Sequence, residues 1–244
     1  MTDPADDRLE PWPPWGIPSA LAGLVVGFLS AVVLGSLAVA VTGNDLNLVV
    51  VAASLAGLWS GYLGTAVFLS RAKGSGQVAR DVSLRARWRD GPIGVVAGLL
   101  SSFVLVWLVY ELMIRVGLLS SGDIDRLSEP ADELATVARG PLAWAVLILL
   151  IGVGAPMVEE IFYRGVLQPT LIKRFGPVPG ILAGAMIFGA AHQQPLQFPA
   201  LAAFGAVLGF LSWRFDRLGP AIATHITFNM LTLVQLAVTQ GTSG

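Results

Sequence analysis

PLAWAVLILLIGVGAPMVEEIFYR, from Pro141 to Arg164, is the stretch that decides the fold. Its first 18 residues carry no charge, and roughly 20 apolar residues are enough to cross a bilayer as a helix. The run ends in two adjacent glutamates, Glu159 and Glu160, with Arg164 one helical turn further on. Ionisable groups inside a membrane span are costly, so a cluster of them at this position indicates a functional site.

The rest of the chain repeats the apolar pattern. Hydrophobic residues make up 55% of the 244 residues and charged residues 13%, whereas soluble domains average about 25% charged. Further runs, without charge apart from one histidine in each of the last two, cover 17–43, 46–70, 92–110, 175–213 and 218–244. The 175–213 run is too long for one crossing, and Pro195 and Pro199 predict a break in it. The sequence therefore predicts an all-α polytopic membrane helix bundle with about seven transmembrane helices.

Basic residues predict the orientation of the bundle. The loop 71–91 between the second and third spans is the most basic, with Arg71, Lys73, Arg80, Arg85, Arg87 and Arg89. Basic loops stay in the cytoplasm, so the N-terminus is expected inside and the C-terminus outside. The composition suits a high-GC bacterium, and we expect a multi-pass protein of the bacterial cell inner membrane.

Three regions follow from this map. Residues 1–17 are expected to form an N-terminal tail, and 18–140 an N-terminal three-span region with the basic cytoplasmic loop. Residues 141–244 are expected to form a four-span core that contains the ionisable clusters. No internal repeat is evident, and nothing in the sequence indicates the oligomeric state.

Composition also excludes several classes of function. The net charge of −1 gives no strong field to recruit nucleic acid. The chain has no cysteine, which excludes disulfides, thiolate catalysis and Cys-ligated metal centres. The expected partners are the lipid bilayer and a substrate within it.

The two histidines of the chain both lie in apolar runs. Spacing of four residues places Glu160 with Arg164, and His225 with Asn229, on shared helix faces. Phe188 and His192 have the same spacing, so the ring can wall one side of the imidazole. Glu159 points about 100° away from its neighbour. It is therefore the carboxylate without an obvious local partner.

These groups suit hydrolysis in one of two ways. A desolvated carboxylate can activate water as a general base, while imidazole and carboxamide groups donate to a developing oxyanion. Alternatively, Glu159, His192 and His225 match the ligand set of many catalytic zinc sites. The His-Glu-x-x-His pattern is absent, and the residues alone leave both readings open.

The three clusters, taken in order, resemble the motifs of the CAAX protease and bacteriocin-processing (CPBP, or Abi) family of intramembrane proteases. The pattern Glu-Glu-x-x-x-Arg, Phe-x-x-x-His and His-x-x-x-Asn is carried by Glu159, Glu160, Arg164, Phe188, His192, His225 and Asn229. Leu218-Gly219-Pro220-Ala221 is also similar to family members. The resemblance covers roughly residues 141–235.

The resemblance implies a CAAX-protease-like intramembrane endopeptidase, which makes 141–244 a catalytic core. Its substrate would be a membrane-embedded, prenylated or other membrane-associated peptide. Glu159 with His192 would activate water, and His225 with Asn229 would form the oxyanion hole. Glu160, Arg164 and Phe188 would support them. This glutamate mechanism is favoured over a metalloprotease, so no cofactor is favoured, although Zn²⁺ is possible.

Two other classes of function compete with a protease. A transporter or proton relay also uses intramembrane Glu and His, and it predicts transport without peptide cleavage. A non-catalytic membrane scaffold or immunity protein predicts that Glu159 and His192 can be replaced without consequence.

Overall fold

The computed structural model describes residues 13–43 and 46–242, and these residues form helices and loops without a strand. The helices are α1 (Ile17–Thr42), α2 (Leu48–Lys73), α3 (Val78–Asp81), α4 (Asp90–Arg115), α5 (Ser121–Arg126), α6 (Glu129–Val137), α7 (Pro141–Phe175), α8 (Pro177–Ala191), α9 (Phe198–Phe215) and α10 (Gly219–Thr242). The all-α class is therefore confirmed. Most of the expected tail 1–17 lies outside the described residues.

Six of the described helices are long and apolar enough to cross a membrane: α1, α2, α4, α7, α9 and α10. The seventh expected span is α8, which is apolar but has only 15 residues. The break expected near Pro195 and Pro199 lies between α8 and α9. The chain is thus a multi-pass membrane protein whose fifth apolar segment is shorter than a full crossing.

The surface of the bundle is apolar where a bilayer would contact it. On α1, Val32, Leu37 and Val41 are 63%, 58% and 86% exposed. Similar side chains are exposed along α4, such as Val96 and Trp107. Contiguous exposed apolar surface of this extent is unfavourable in water. Lipid is therefore the solvent that these faces require.

The segment before α1 is bound to the inside of the bundle. The indole Nε1 of Trp15 donates to the carbonyl oxygen of Val166 in α7 at 3.1 Å, and Trp15 is buried. Nearby, Nζ of Lys173 donates to the carbonyl oxygen of Pro13 at 3.4 Å. Because a buried indole N–H needs an acceptor, this contact fixes the start of α1 against α7.

Helix α7 contains two π-helical turns, Ile148–Gly154 and Ile161–Leu167. A proline follows each turn within two residues, at Pro156 and Pro169. Proline lacks an N–H and its ring collides with the carbonyl group four residues earlier, so the regular ladder is interrupted there. Single π turns of this kind are frequent at functional sites. The glutamate pair lies in the α-helical stretch between them.

The second π turn lies at the centre of the bundle. Every residue from Ile161 to Leu167 is buried. Phe162 stacks on Tyr62 of α2 with ring centroids 4.0 Å apart, and Tyr163 contacts Phe188 of α8 edge-on at 5.2 Å. Helix α7 is therefore enclosed by its neighbours at this level, which holds the adjacent glutamates in a fixed position.

Candidate active site

Glu160 lies at the centre of a buried charge network. Its Oε1 is 2.9 Å from Nδ1 of His225, and its Oε2 is 3.3 Å from Nε of Arg164. The Glu160 side chain has no exposed surface, and that of Arg164 is 2% exposed. The Glu160–Arg164 pair expected from their spacing is thus formed. As the anionic partner of Arg164, Glu160 accepts, so Nδ1–H of His225 is the donor to it.

Arg164 also binds the neighbouring helix. Its Nη2 donates to the carbonyl oxygen of Gly205 in α9 at 3.0 Å. Its guanidinium carbon lies 4.4 Å from the centroid of the Phe188 ring, a cation–π distance. The guanidinium group therefore ties α7 to both α8 and α9, in addition to its contact with Glu160.

Glu159 is placed differently from its neighbour. Its side chain is 14% exposed, and Oε2 lies 4.0 Å from Nε2 of His225, which is beyond hydrogen-bond distance. That Oε2 atom is buried and has no hydrogen-bond partner among the described residues. The two ring nitrogens of His225 thus contact different glutamates. Nδ1 is bound to Glu160, and Nε2 is directed towards Glu159.

His192 follows the last residue of α8. Its Nδ1 lies 2.8 Å from the carbonyl oxygen of Phe188. A carbonyl oxygen only accepts, so Nδ1 carries the proton and Nε2 of the neutral ring is left with a lone pair. The Phe188 ring contacts both imidazoles edge-on, at 4.7 Å from His192 and 5.7 Å from His225. The Phe188 ring therefore packs against both histidines.

Asn229 lies one turn beyond His225 on α10. Its Nδ2 donates to the carbonyl oxygen of Ile151 at 2.8 Å, in the first π turn of α7. One amide hydrogen is therefore used in holding α10 against α7, while the second hydrogen of the same amide has no such role. His225 and Asn229 share one face of α10, as their spacing predicts, and the structure places that face against α7.

One further polar residue near these groups, Gln168, belongs to no motif in the sequence. Gln168 is buried one turn after Arg164, and its Nε2 donates to the Gly209 carbonyl oxygen at 3.0 Å and to Ser212 Oγ at 3.1 Å. The two bonds from α7 to α9 therefore repeat at an interval of four residues on both helices. A side chain at position 209 would place Cβ about 2.5 Å from Gln168 Oε1, so glycine is required for this approach.

Aromatic residues of α2 complete the surroundings. The hydroxyl groups of Tyr62 and Tyr163 are 2.9 Å apart. Trp59 packs on Gly154, where an added Cβ would collide with the indole ring. Its buried Nε1 has no hydrogen-bond partner among the described residues. The sequence carries no pattern that singles out Trp59, because tryptophan in a membrane span is ordinarily a packing residue.

The three residues expected as metal ligands are not gathered into one cluster in the described part of the chain. In the described part of the chain, no group of three His, Cys, Asp or Glu residues is placed to hold a metal ion. Among the three expected ligands, His225 and His192 each use Nδ1 for another acceptor, on Glu160 and on Phe188, which leaves Nε2 of each ring as the nitrogen that could bind a metal ion. Glu159 and His225 approach each other, but His192 does not join them as a third ligand.

A groove of about 630 Å³ opens between α1 and α2. Its walls are mostly apolar, including Phe28, Val32 and Leu55, and Gln193 also lines it. Gln193 directly follows His192 and has a left-handed φ of 55°, a conformation that is uncommon for residues other than glycine. An apolar groove within the membrane region therefore extends to the residue beside His192.

Comparison with known protein families gives one match. The model of the type II CAAX prenyl endopeptidase Rce1-like family matches residues 141–231, which is less than half of the chain. Comparison with curated proteins gives no match, and neither does comparison with solved structures. All seven motif residues lie within the matched range. Residues 141–231 are therefore similar to the Rce1-like family, which is consistent with the CPBP-family resemblance that the sequence motifs predict.

Proposed function

We propose that this protein is an intramembrane endopeptidase in which Glu159 activates the water that cleaves the peptide bond. Glu159 takes a proton from water, the resulting hydroxide attacks the carbonyl carbon, and the carbon–nitrogen bond then breaks as the proton passes to the departing amine. The Rce1-like match supports a peptidase. The identity of the base is our inference from the site.

The observation that carries this proposal is the difference between the two glutamates. Glu160 is fully buried and bound to both Arg164 and His225. Glu159 is slightly exposed, and its nearest charged partner is His225 Nε2 at 4.0 Å. Oε2 of each glutamate lacks a hydrogen bond among the described residues, so the two residues differ in the Arg164 ion pair and the His225 hydrogen bond, which only Glu160 makes. A carboxylate whose charge is offset by Arg164 is a poor base, whereas a desolvated carboxylate without such a partner is a better one. We accordingly assign Glu159 as the base that activates water, and Glu160 as the residue that positions Arg164 and His225.

His192 is assigned to the water together with Glu159. Because Nδ1 is bound to the Phe188 carbonyl oxygen, the lone pair on Nε2 can accept a hydrogen bond from water or take up a proton. The contact with Phe188 fixes the tautomer and the plane of the ring. A catalytic histidine needs such a partner on its second nitrogen to hold the ring in place, and here the backbone of α8 supplies it.

His225 and Asn229 are assigned to the oxyanion. The second hydrogen on Asn229 Nδ2 can donate to it directly, and a proton on Nε2 of His225 would supply a second donor. Glu160, bound to Nδ1 at 2.9 Å, fixes the orientation of that ring. Donors fixed before the reaction stabilise an oxyanion without the cost of reorganisation.

The substrate is proposed to be a membrane-associated or lipidated peptide. The site lies among helices with lipid-facing surfaces, and the groove between α1 and α2 reaches Gln193 beside His192. We further propose that residues 141–244 form the catalytic core, and that the protein lies in the bacterial inner membrane with its N-terminus in the cytoplasm.

A substrate comparison tests this function. Purified protein in mild detergent is incubated with a farnesylated CAAX peptide, the same peptide without the lipid, and a short transmembrane peptide, and products are identified by mass spectrometry. Cleavage of the lipidated or transmembrane peptide in preference to the unmodified one is the expected result. Absence of cleavage in all three by folded protein would favour the scaffold or transporter instead.

A further inference from the structure

A cavity of about 590 Å³ lies away from the active site, where three of the helices begin or end. It is lined by Arg87, Trp88, Arg89, Ile93, Phe215 and Arg217. Helices α4 and α10 begin beside it at Asp90 and Gly219, and α9 ends there at Phe215. The ends of membrane helices lie at the level of the lipid headgroups.

The wall of this cavity is fixed by a buried ion pair. Asp90 is 2% exposed, and its carboxylate accepts bonds of 2.7 Å from Arg217 Nη2 and 3.0 Å from Arg217 Nε. The backbone N–H of Arg87 also donates to it at 2.7 Å. These hydrogen bonds raise the pKa of Arg217 above its ordinary value. The charge of Arg217 is thus committed to Asp90.

Backbone bonds attach the same loop to the start of α10. The N–H of Leu218 donates to the Ser83 carbonyl oxygen and that of Gly219 to the Arg85 carbonyl oxygen, both at 3.1 Å. The loop that carries Arg87 and Arg89 is therefore held against α10. The cavity exists before any ligand arrives.

Two of the three guanidinium groups remain unneutralised. Within the described part of the chain, Arg87 and Arg89 have no side-chain hydrogen bond or ion pair, and both are exposed. Arg89 lies over the Trp88 ring at 5.1 Å, and Trp88 is itself 80% exposed. Since Asp90 offsets Arg217, the cavity has a net charge of about +2 from Arg87 and Arg89.

The apolar part of the cavity distinguishes a lipid from a soluble anion. Ile93 lines it one turn into α4, and Val95 and Val96 beyond it are 47% and 58% exposed. A ligand with an anionic head between the arginines can therefore extend an acyl chain along α4. Trp88 has the amphipathic ring that is typical of the membrane interface.

We propose that this cavity binds the headgroup of an anionic phospholipid, with Arg87 and Arg89 on the phosphate and Trp88 beside the glycerol region. The site is independent of the peptidase proposal. It assigns a specific lipid position to a loop whose charges otherwise only set the topology.

The experiment compares lipid binding by purified protein in detergent, using native mass spectrometry with phosphatidylglycerol and phosphatidylcholine. The test variant is R87Q/R89Q. The control R71Q/R85Q removes the same charge from the same loop outside the cavity, and the Arg85–Asp216 pair that it breaks is exposed and of little value for stability. A third variant, R87K/R89K, keeps both charges.

Wild type is expected to prefer phosphatidylglycerol. R87Q/R89Q should bind it about 10- to 30-fold more weakly, since each basic group contributes about a factor of five near an anionic lipid. The control and the lysine variant should stay close to wild type, and melting temperatures should be unchanged. Equal losses in R87Q/R89Q and R71Q/R85Q would overturn the proposal, as would equal binding of the two lipids. Displacement of the lipid by millimolar glycerol phosphate would also overturn it, because the cavity would then be a site for a soluble anion.

Discussion

Nδ1 of His225 lies 2.9 Å from Oε1 of Glu160, while the other nitrogen of the same ring faces Glu159 at 4.0 Å. The His225 imidazole therefore lies between two carboxylates: Glu160, which also pairs with Arg164, and Glu159, which does not. This contact joins α10 to α7 at the level of the proposed chemistry. It is the structural reason for treating two adjacent glutamates as residues with different roles.

The Glu160 network should be essential for stability. Glu160→Gln leaves the buried guanidinium of Arg164 without its counter-charge, and removal of one partner from a buried pair costs about 3–5 kcal/mol. The melting temperature in detergent should fall clearly. Glu111→Gln is the matched control, because Glu111 and Arg115 are also four residues apart but have side chains 34% and 74% exposed. Such a pair is worth less than about 0.5 kcal/mol. Equal melting of the two variants would contradict the account.

Asn229 should matter more for the reaction than for folding. Asn229→Leu removes the bond to the Ile151 carbonyl oxygen, and such interhelical bonds average about 0.6 kcal/mol in membranes. Loss of an oxyanion donor instead lowers kcat by about 10²–10³-fold. The measurement is kcat beside melting temperature, with Thr232→Val on the same helix as control. Activity within about threefold of wild type would exclude the oxyanion role.

The contact of Gln168 with Gly209 can be tested by a double-mutant cycle. Gly209→Ala places a methyl group about 2.5 Å from Gln168 Oε1, and overpacking of this kind costs about 1–3 kcal/mol. In a Gln168→Ala background that oxygen is gone, so the same change should cost less. Stability is measured by unfolding in detergent. If the costs of the two changes simply add, the two residues are not coupled.

The orientation of the chain can be read by cysteine labelling, because the protein has no native cysteine. Gln77→Cys in the basic loop and Glu133→Cys in α6 place single thiols at exposed positions on opposite sides of α4. In intact cells a membrane-impermeant maleimide should label position 133 and leave position 77 unlabelled until lysis. The reverse pattern would mean that the N-terminus lies outside.

Much of the bundle could be predicted from the sequence because lipid imposes a simple rule. A span must be apolar over its length. The starts of the uncharged runs therefore predict the starts of α1, α2 and α10 to within a few residues. The short α8 was harder to judge, since the run through residues 175–213 has no charge to mark its depth. The expected division into an N-terminal region and a core at residue 140 stays a prediction.

The site was predictable only in part, for reasons of geometry. Spacing of four residues indicates a shared face, which the Glu160–Arg164 contact obeys. Spacing carries no information about which helix lies opposite, so the His225–Glu160 bond and the Asn229 bond to Ile151 emerge only from the fold. The π turns rotate part of α7 relative to a regular helix. Gln168 and Trp59 belong to no motif. Gln168 donates to the Gly209 carbonyl oxygen and to Ser212 Oγ on another helix, and Trp59 Nε1 has no hydrogen-bond partner among the described residues.

The central claim is that Glu159, without a metal ion, activates the water. Its most direct test is the rate of cleavage of a farnesylated CAAX peptide by wild type, Glu159→Gln and the exposed control Glu133→Gln, each with and without a chelator. We expect Glu159→Gln to cleave about 10²–10⁴-fold more slowly than wild type at an unchanged melting temperature. Chelation should have no effect on wild type. Cleavage that is lost on chelation and restored by zinc, or that persists in Glu159→Gln, would contradict it.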